Sequence, residues 1–92
     1  MARFTIDGKR YDSDKMVDLG ISTRERNGVN IEGVYMTPNS KRVFVNTYSI
    51  WDRGDGRSVG DRWHEAGQSE IADLAQTHDC DELYDLLPDD SE

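Results

Sequence analysis

Two long segments rich in β-forming residues, 29–36 and Val43–Trp51, flank a short polar stretch at positions 37–42. The stretch contains Pro, Asn and Ser, which favour turns. The pattern therefore predicts a long antiparallel hairpin with one apolar face, typical of a sheet that is buried mainly on one side. If Thr37 opposes Arg42, the predicted pairs across the hairpin are Tyr35 with Phe44, Ile31 with Tyr48 and Val29 with Ile50.

A second hairpin is predicted near the N-terminus, where two short strand-like segments flank Asp7-Gly8. Asp-Gly is a favoured two-residue turn, because a type I′ turn needs a positive φ at both central residues. The resulting register pairs Phe4 with Tyr11 and Ile6 with Lys9.

Two further stretches complete the predicted β region. Residues 57–65 are predicted to form a strand, in which Gly60 weakens the strand or marks a bulge. Residues 13–19 fit either a short helix capped by Ser13 or a strand, and Gly20 ends either one.

Residues 67–88 show apolar side chains at helical spacing. The two apolar stripes are out of phase by about one residue, which predicts two short helices with a break near His78. Ser69 is predicted to cap the first helix and Asp79 the second, and Pro88 ends the second helix. The two stripes are Ile71, Leu74 and Ala75, followed by Leu83, Leu86 and Leu87.

Together these elements predict a single α+β domain over residues 1–92. It has a mainly β part at 1–66, a helical part at 67–88 and an acidic tail at 89–92. We expect an antiparallel sheet of four to five strands, with one or two C-terminal helices packed on its apolar face. The predicted contact joins Ile71, Leu74, Leu83, Leu86 and Leu87 to Phe4, Ile6, Ile31, Tyr35, Phe44, Tyr48 and Ile50.

Charge is distributed unevenly along the chain, which has 11 basic and 19 acidic residues and a net charge of -8. All 11 Lys and Arg residues precede position 64, whereas ten of the 19 Asp and Glu residues follow it. Such asymmetry between two parts of a chain suggests a charged partner.

No residue pattern points to catalysis, so we predict a protein that is not an enzyme. Cys80 lies beside His78 and Asp79, but neighbouring carboxylates disfavour a reactive thiolate. His64, His78 and Cys80 match no zinc spacing, and residues 52–56 lack the alternating acids of a calcium loop. The sequence predicts no catalytic, metal or cofactor-binding site, and no cofactor.

The mean hydropathy is -0.83, and no apolar run approaches the ~18 residues that a spanning helix needs. No apolar stretch follows the N-terminus, so we expect neither a signal peptide nor a membrane partner. The single cysteine, Cys80, fits a reducing compartment, and we expect the bacterial cytoplasm.

Several C-terminal carboxylates have no apparent use in folding. Asp81 and Asp85, and likewise Asp85 and Asp89, are four residues apart, where like charges repel on a helix. Asp90 adds to the charge at a predicted helix C-terminus, where the dipole favours cations. The predicted partner-binding residues are therefore Asp81, Asp85, Asp89 and Asp90, together with Asp79 and Glu82.

The small size, acidic face and sheet-plus-helix build of the whole chain resemble those of the acidic inhibitors made by phages and mobile elements, including anti-CRISPR and anti-restriction proteins. No motif carries this resemblance. It implies an inhibitor that occludes a basic groove of a bacterial nucleic-acid-binding complex, such as a CRISPR effector. The basic part of the chain favours one acidic binding face over mimicry of a duplex.

Two alternatives remain open. One is a nucleic-acid-binding module that uses the arginines and aromatic rings of the sheet. Against it, the acidic third is expected to repel phosphates over a Debye length of roughly 8–10 Å, so no direct nucleic-acid binding is expected. The other is a small structural subunit that forms a homodimer, and the sequence leaves both monomer and homodimer open.

Overall fold

The computed structural model describes residues 3–25, 28–51 and 57–88. Its described part contains six strands and two helices, with a 3-10 turn at Ser13–Lys15. In chain order they are β1 (Arg3–Ile6), β2 (Lys9–Asp12), β3 (Val17–Asp18), β4 (Gly28–Met36), β5 (Val43–Trp51), β6 (Arg57–Glu65), α1 (Gln68–His78) and α2 (Asp81–Tyr84).

The strands form two antiparallel sheets, a two-stranded β1–β2 hairpin and a four-stranded sheet in the order β3-β4-β5-β6. The helices follow the last strand. The α+β class predicted from the sequence is confirmed, as is the strand over Arg57–Glu65. Residues 13–19, for which helix and strand were both open, divide between the 3-10 turn and β3.

The β1–β2 hairpin has the predicted register, in which Phe4 pairs with Tyr11 and Ile6 with Lys9. Its turn residues, Asp7 and Gly8, have φ values of 52° and 77°. Both lie in the left-handed region that a type I′ turn requires, so the Asp-Gly signal is confirmed.

The β4–β5 hairpin has the predicted register only near its turn. Tyr35 pairs with Phe44 as expected, but β4 carries one extra residue between Ile31 and Gly33. Beyond this bulge the predicted pairs are wrong: Ile31 opposes Thr47 and Val29 opposes Ser49. The extra residue reverses the alternation of β4 side chains beyond it, so Ile31 shares the face of Thr47 and Val45 and packs against the helical core, as predicted for Ile31.

A second irregularity lies between β5 and β6. Thr47 pairs with Arg62 and Ser49 with Val59, so Gly60 and Asp61 together face a single residue of β5. The prediction that Gly60 marks a bulge is thus confirmed.

The helices pack on the face of the sheet opposite to the one predicted. Successive strand residues point to opposite faces, so Val43 and Val45 lie on one face and Phe44 on the other. The helices share their core with the valine face, and the predicted contact of the helices with Tyr35 and Phe44 is wrong. The buried members of this core are Ile21, Val34, Met36, Val43, Val45, Ala66, Leu74, Ala75, Cys80 and Leu83.

The aromatic face is covered by the β1–β2 hairpin, and this explains where the helices go. The Phe4 ring stacks on Trp63 at a centroid distance of 3.9 Å, and Tyr11 lies 4.6 Å from Phe44. The Arg42 guanidinium lies over Tyr11 at 5.4 Å and makes two hydrogen bonds to the Glu65 carboxylate, at 2.8 and 3.0 Å. Because the hairpin occupies this face, the apolar side chains of the two helices pack on the opposite, aliphatic face.

The outer edge of β4 is covered by residues 17–25. Beyond the β3 pairing, the Leu19 N–H donates to the Val34 carbonyl, and the Thr23 N–H donates to the Ile31 carbonyl, both at 2.9 Å. Asn30 is completely buried. Its Oδ1 accepts a hydrogen bond from the Glu25 N–H, and its Nδ2 donates one to the Glu25 carbonyl. These bonds fix the 19–22 segment beside the helices.

Replacement of Leu83 by alanine tests the helical core, because Leu83 in α2 has no exposed surface. We expect Leu83→Ala to lower the free energy of unfolding by about 2–5 kcal/mol in a urea titration. Tyr84→Ala is the matched control, since Tyr84 is 43% exposed, and should change stability by less than about 0.5 kcal/mol. Equal stability of the Leu83 variant and the parent would contradict this packing.

Replacement of Gly33 by alanine tests the close approach of the Tyr35 ring to Gly33. A Cβ at Gly33 would lie 2.8 Å from the Tyr35 ring, which packs 5.4 Å from Trp63. We expect Gly33→Ala to destabilise the protein by about 1–3 kcal/mol, because the ring must move. In a Tyr35→Ala background the same change should be neutral or stabilising. An equal cost in both backgrounds would show that the Tyr35 ring is not the obstacle.

Candidate functional site

A tight bend between the two helices carries several of the predicted binding residues. Asp79 ends α1 in a left-handed conformation, with φ 50° and ψ 53°, and its N–H donates to the Ala75 carbonyl. Asp79 was predicted to cap α2, but that position belongs to Cys80, whose side chain makes no capping bond. α1 also begins earlier than predicted, after Gly67 and not at Ser69, again without a side-chain cap.

The carboxylates beyond the bend differ in their relation to α2. Asp81 and Glu82 lie in its first turn, where the helix dipole favours a negative charge, so the prediction that Asp81 has no use in folding is wrong. Asp85 is the C-terminal cap, where a carboxylate is disfavoured. Asp89 and Asp90 lie outside the described residues. We define the acidic bend as Asp79, Asp81, Glu82 and Asp85, all of which are exposed.

The acidic bend borders a groove of about 320 Å³ between the helices and the segment along β4. One wall is formed by residues 19–22 and the other by residues 78–82. Asp18 stabilises the first wall, since its carboxylate accepts a hydrogen bond from the Gly20 N–H at 2.8 Å. Sequence reasoning missed this wall, because some 60 residues separate it from the acidic bend and only the β4 edge brings the two together.

More carboxylates lie near Tyr35 at the same edge of the sheet. Burial, and then the negative charges of Asp18, Glu32 and Asp14, raise the pKa of Tyr35. Asp14, Asp18 and Glu32 all lie close enough to the Tyr35 hydroxyl to affect its pKa, so acidic side chains from the N-terminal half also lie near β3 and β4. The acidic character of the molecule therefore extends beyond the C-terminal third.

Cys80 is buried in the helical core, and its thiol donates a hydrogen bond to the Glu82 carboxylate, with Sγ and Oε2 3.4 Å apart. Burial raises the pKa of the Cys80 thiol, and the nearby Glu82 carboxylate adds to this effect. Both influences disfavour the thiolate, which is the nucleophilic form. Cys80 thus serves packing in this environment.

The two histidines of the chain occupy separate positions. The Nε2 atom of His64 lies 2.8 Å from a carboxylate oxygen of Glu70, and this pair ties the end of β6 to the first turn of α1. His78 is the last residue of α1. Within residues 3–25, 28–51 and 57–88, no three His, Cys, Asp or Glu side chains come close enough together to hold a metal ion.

The β1–β2 hairpin carries a surface of opposite charge. Arg3, Arg10 and Lys15 line a cavity of about 650 Å³ on this hairpin, together with Asp12 and Thr5. All three cations are exposed. The hairpin covers the aromatic face of the sheet, so this basic surface lies on the side away from the helices.

Comparison of the chain with protein-family models, curated proteins and solved structures finds no match. No helix in the described part of the chain is both long and apolar enough to cross a membrane.

Alkylation of Cys80 tests its inertness. We expect iodoacetamide at about pH 8 to modify the native protein at least about tenfold more slowly than the urea-unfolded chain, because the native thiol is buried and resists ionisation. The rate is followed by intact-mass spectrometry. Equal rates in the native and unfolded states would show that the thiol is accessible and ionised.

Proposed function

We propose that this protein is a non-enzymatic inhibitor or adaptor that binds a basic surface of a nucleic-acid-binding complex through its acidic bend. The observation that carries the proposal is the exposure of all four bend carboxylates in a helical segment without a single Lys or Arg. An ordinary helical surface mixes both signs of charge. A surface of one sign attracts a partner of the opposite sign and accelerates encounter.

The groove beside the acidic bend suggests how a partner would engage. Its walls offer the carboxylates of Asp79, Asp81 and Glu82 around a polar opening of about 320 Å³. A guanidinium or ammonium group pairs well with carboxylates, and arginine can do so through two parallel hydrogen bonds. We therefore expect an Arg or Lys side chain of the partner to enter this groove.

The mode of inhibition that fits is occlusion of a basic groove. α1 has 11 residues and spans about 16 Å at 1.5 Å per residue, and the chain bends at Asp79, which is in a left-handed conformation. This acidic array is too short and too bent to imitate a duplex, which carries one charge per ~1.7 Å. It suits a compact binding face, as in the phage and mobile-element inhibitors, including anti-CRISPR proteins, that the chain resembles.

The alternative of base stacking on the sheet has less support. Phe4 is buried, and its ring is stacked on Trp63, while Tyr11 packs against Phe44 and lies under Arg42. Rings engaged with one another do not offer the free faces on which bases stack.

A homodimer formed through the apolar sheet is also less supported, since hairpin and helices cover the two faces near the turn.

A charge-reversal experiment tests the proposal. Tagged parent protein is used to capture partners from a bacterial lysate, and the captured protein is purified for binding kinetics. We expect Asp81→Lys with Asp85→Lys to lower the association rate about tenfold and to reduce its salt dependence. Circular dichroism should show a retained fold, because both side chains are exposed.

The matched control is Glu25→Lys with Asp73→Lys, which makes the same change in net charge at two exposed positions outside the acidic bend. It should retain most of the association rate. If the bend variant binds as well as the parent across a salt series, or if both variants lose binding equally, the acidic bend is not the binding surface.

A further inference from the structure

The outer face of the β1–β2 hairpin is a cationic surface that the proposed function does not use. Phe4 and Tyr11 point toward the main sheet, so the alternation of strand side chains places Arg3 and Arg10 on the opposite face of the hairpin. Lys15, from the 3-10 turn that follows, lines the same cavity.

These cations keep their charge available to a ligand. Within the described part of the chain, no ion pair or hydrogen bond joins the side chains of Arg3, Arg10 or Lys15 to another side chain. Asp12 lines the cavity too and lies directly opposite Arg3 in the hairpin register, so three cations and one carboxylate give the cavity lining a net charge of +2. Arg42 is different, because Glu65 neutralises it.

The spacing of the two arginines fits a chain of regularly placed anions. Arg10 opposes Thr5 in the hairpin, so Arg3 is its diagonal neighbour, at roughly 7–8 Å between backbones. A nucleic-acid strand carries one charge per ~3.4 Å, so this diagonal spans about two backbone charges. Guanidinium groups also match the geometry of phosphate oxygens. We propose that the hairpin binds the phosphate backbone of single-stranded nucleic acid.

The fold answers the objection that the sequence raised for the helical carboxylates, whereas Asp14, Asp18 and Glu32 lie near Tyr35 on the other side of the sheet. From the sequence, the acidic third was expected to repel phosphates within a Debye length. The helices and the hairpin instead cover opposite faces of the sheet, and each packed layer adds about 10 Å. Some 20 Å then separates the outer hairpin face from the helical layer, about twice the Debye length at physiological salt. The proposal stands apart from the function proposed for the acidic bend and does not depend on it.

Fluorescence anisotropy of a labelled oligothymidylate of about 20 nucleotides, titrated with the intact protein, tests the inference. Binding should weaken between about 50 and 200 mM salt, with a logarithmic slope near −2 for three phosphate contacts. Arg3→Ala with Arg10→Ala should weaken binding at least about tenfold and reduce the slope to about −0.7. Its thermal melting should match that of the parent, because both side chains are exposed.

The control is Arg24→Ala with Arg62→Ala, which removes two exposed cations that lie off the hairpin. It should bind within about twofold of the parent. Three results would each overturn the inference: salt-independent or absent binding by the parent, an equal loss in the control variant, or displacement by polyglutamate as strong as that by unlabelled oligothymidylate. The last would mean that the hairpin takes acidic protein segments. Asp81→Lys with Asp85→Lys should bind the oligonucleotide no more weakly than the parent, which separates this test from that of the acidic bend.

Discussion

Burial of the β4–β5 hairpin on both faces near its turn is the constraint on which the rest of the structure depends. Val45 and Phe44 are adjacent in β5, point to opposite faces and are both completely inaccessible to solvent. Each face therefore needs its own cover, and in the described part of the chain the N-terminal hairpin and the C-terminal helices provide it. Burial of a large apolar side chain is worth about 1.5–3 kcal/mol, so neither face can be left open at low cost.

Local signals in the sequence were sufficient where a few residues decide the geometry. Asp7-Gly8 fixed the first hairpin and its register, and the Thr37–Arg42 turn fixed the second hairpin as far as Tyr35. The bulge between Ile31 and Gly33 has no local signal in the sequence, because the pairing of the whole strand decides where the extra residue falls. The face on which the helices pack was missed for a similar reason, since it depends on where the N-terminal hairpin docks.

The candidate site was predictable in part. The concentration of carboxylates was evident in the sequence, but the roles of Asp79 and Asp81 depend on a left-handed bend at Asp79 that shifts the start of α2 by one residue. The groove wall at residues 19–22 is set by long-range backbone bonds to β4. The fold places the acidic bend on the helical side of the sheet and Arg3, Arg10 and Lys15 on the hairpin side.

Solution NMR gives the most direct test of this two-sided sheet. The account predicts nuclear Overhauser effects between the methyl groups of Leu74 and Leu83 and those of Val34 and Val45, and between the Phe44 ring and the rings of Phe4 and Tyr11. Effects from the leucine methyl groups to the Phe44 and Tyr35 rings would contradict it. They would place the helices on the aromatic face and bring the two charged surfaces to the same side of the molecule.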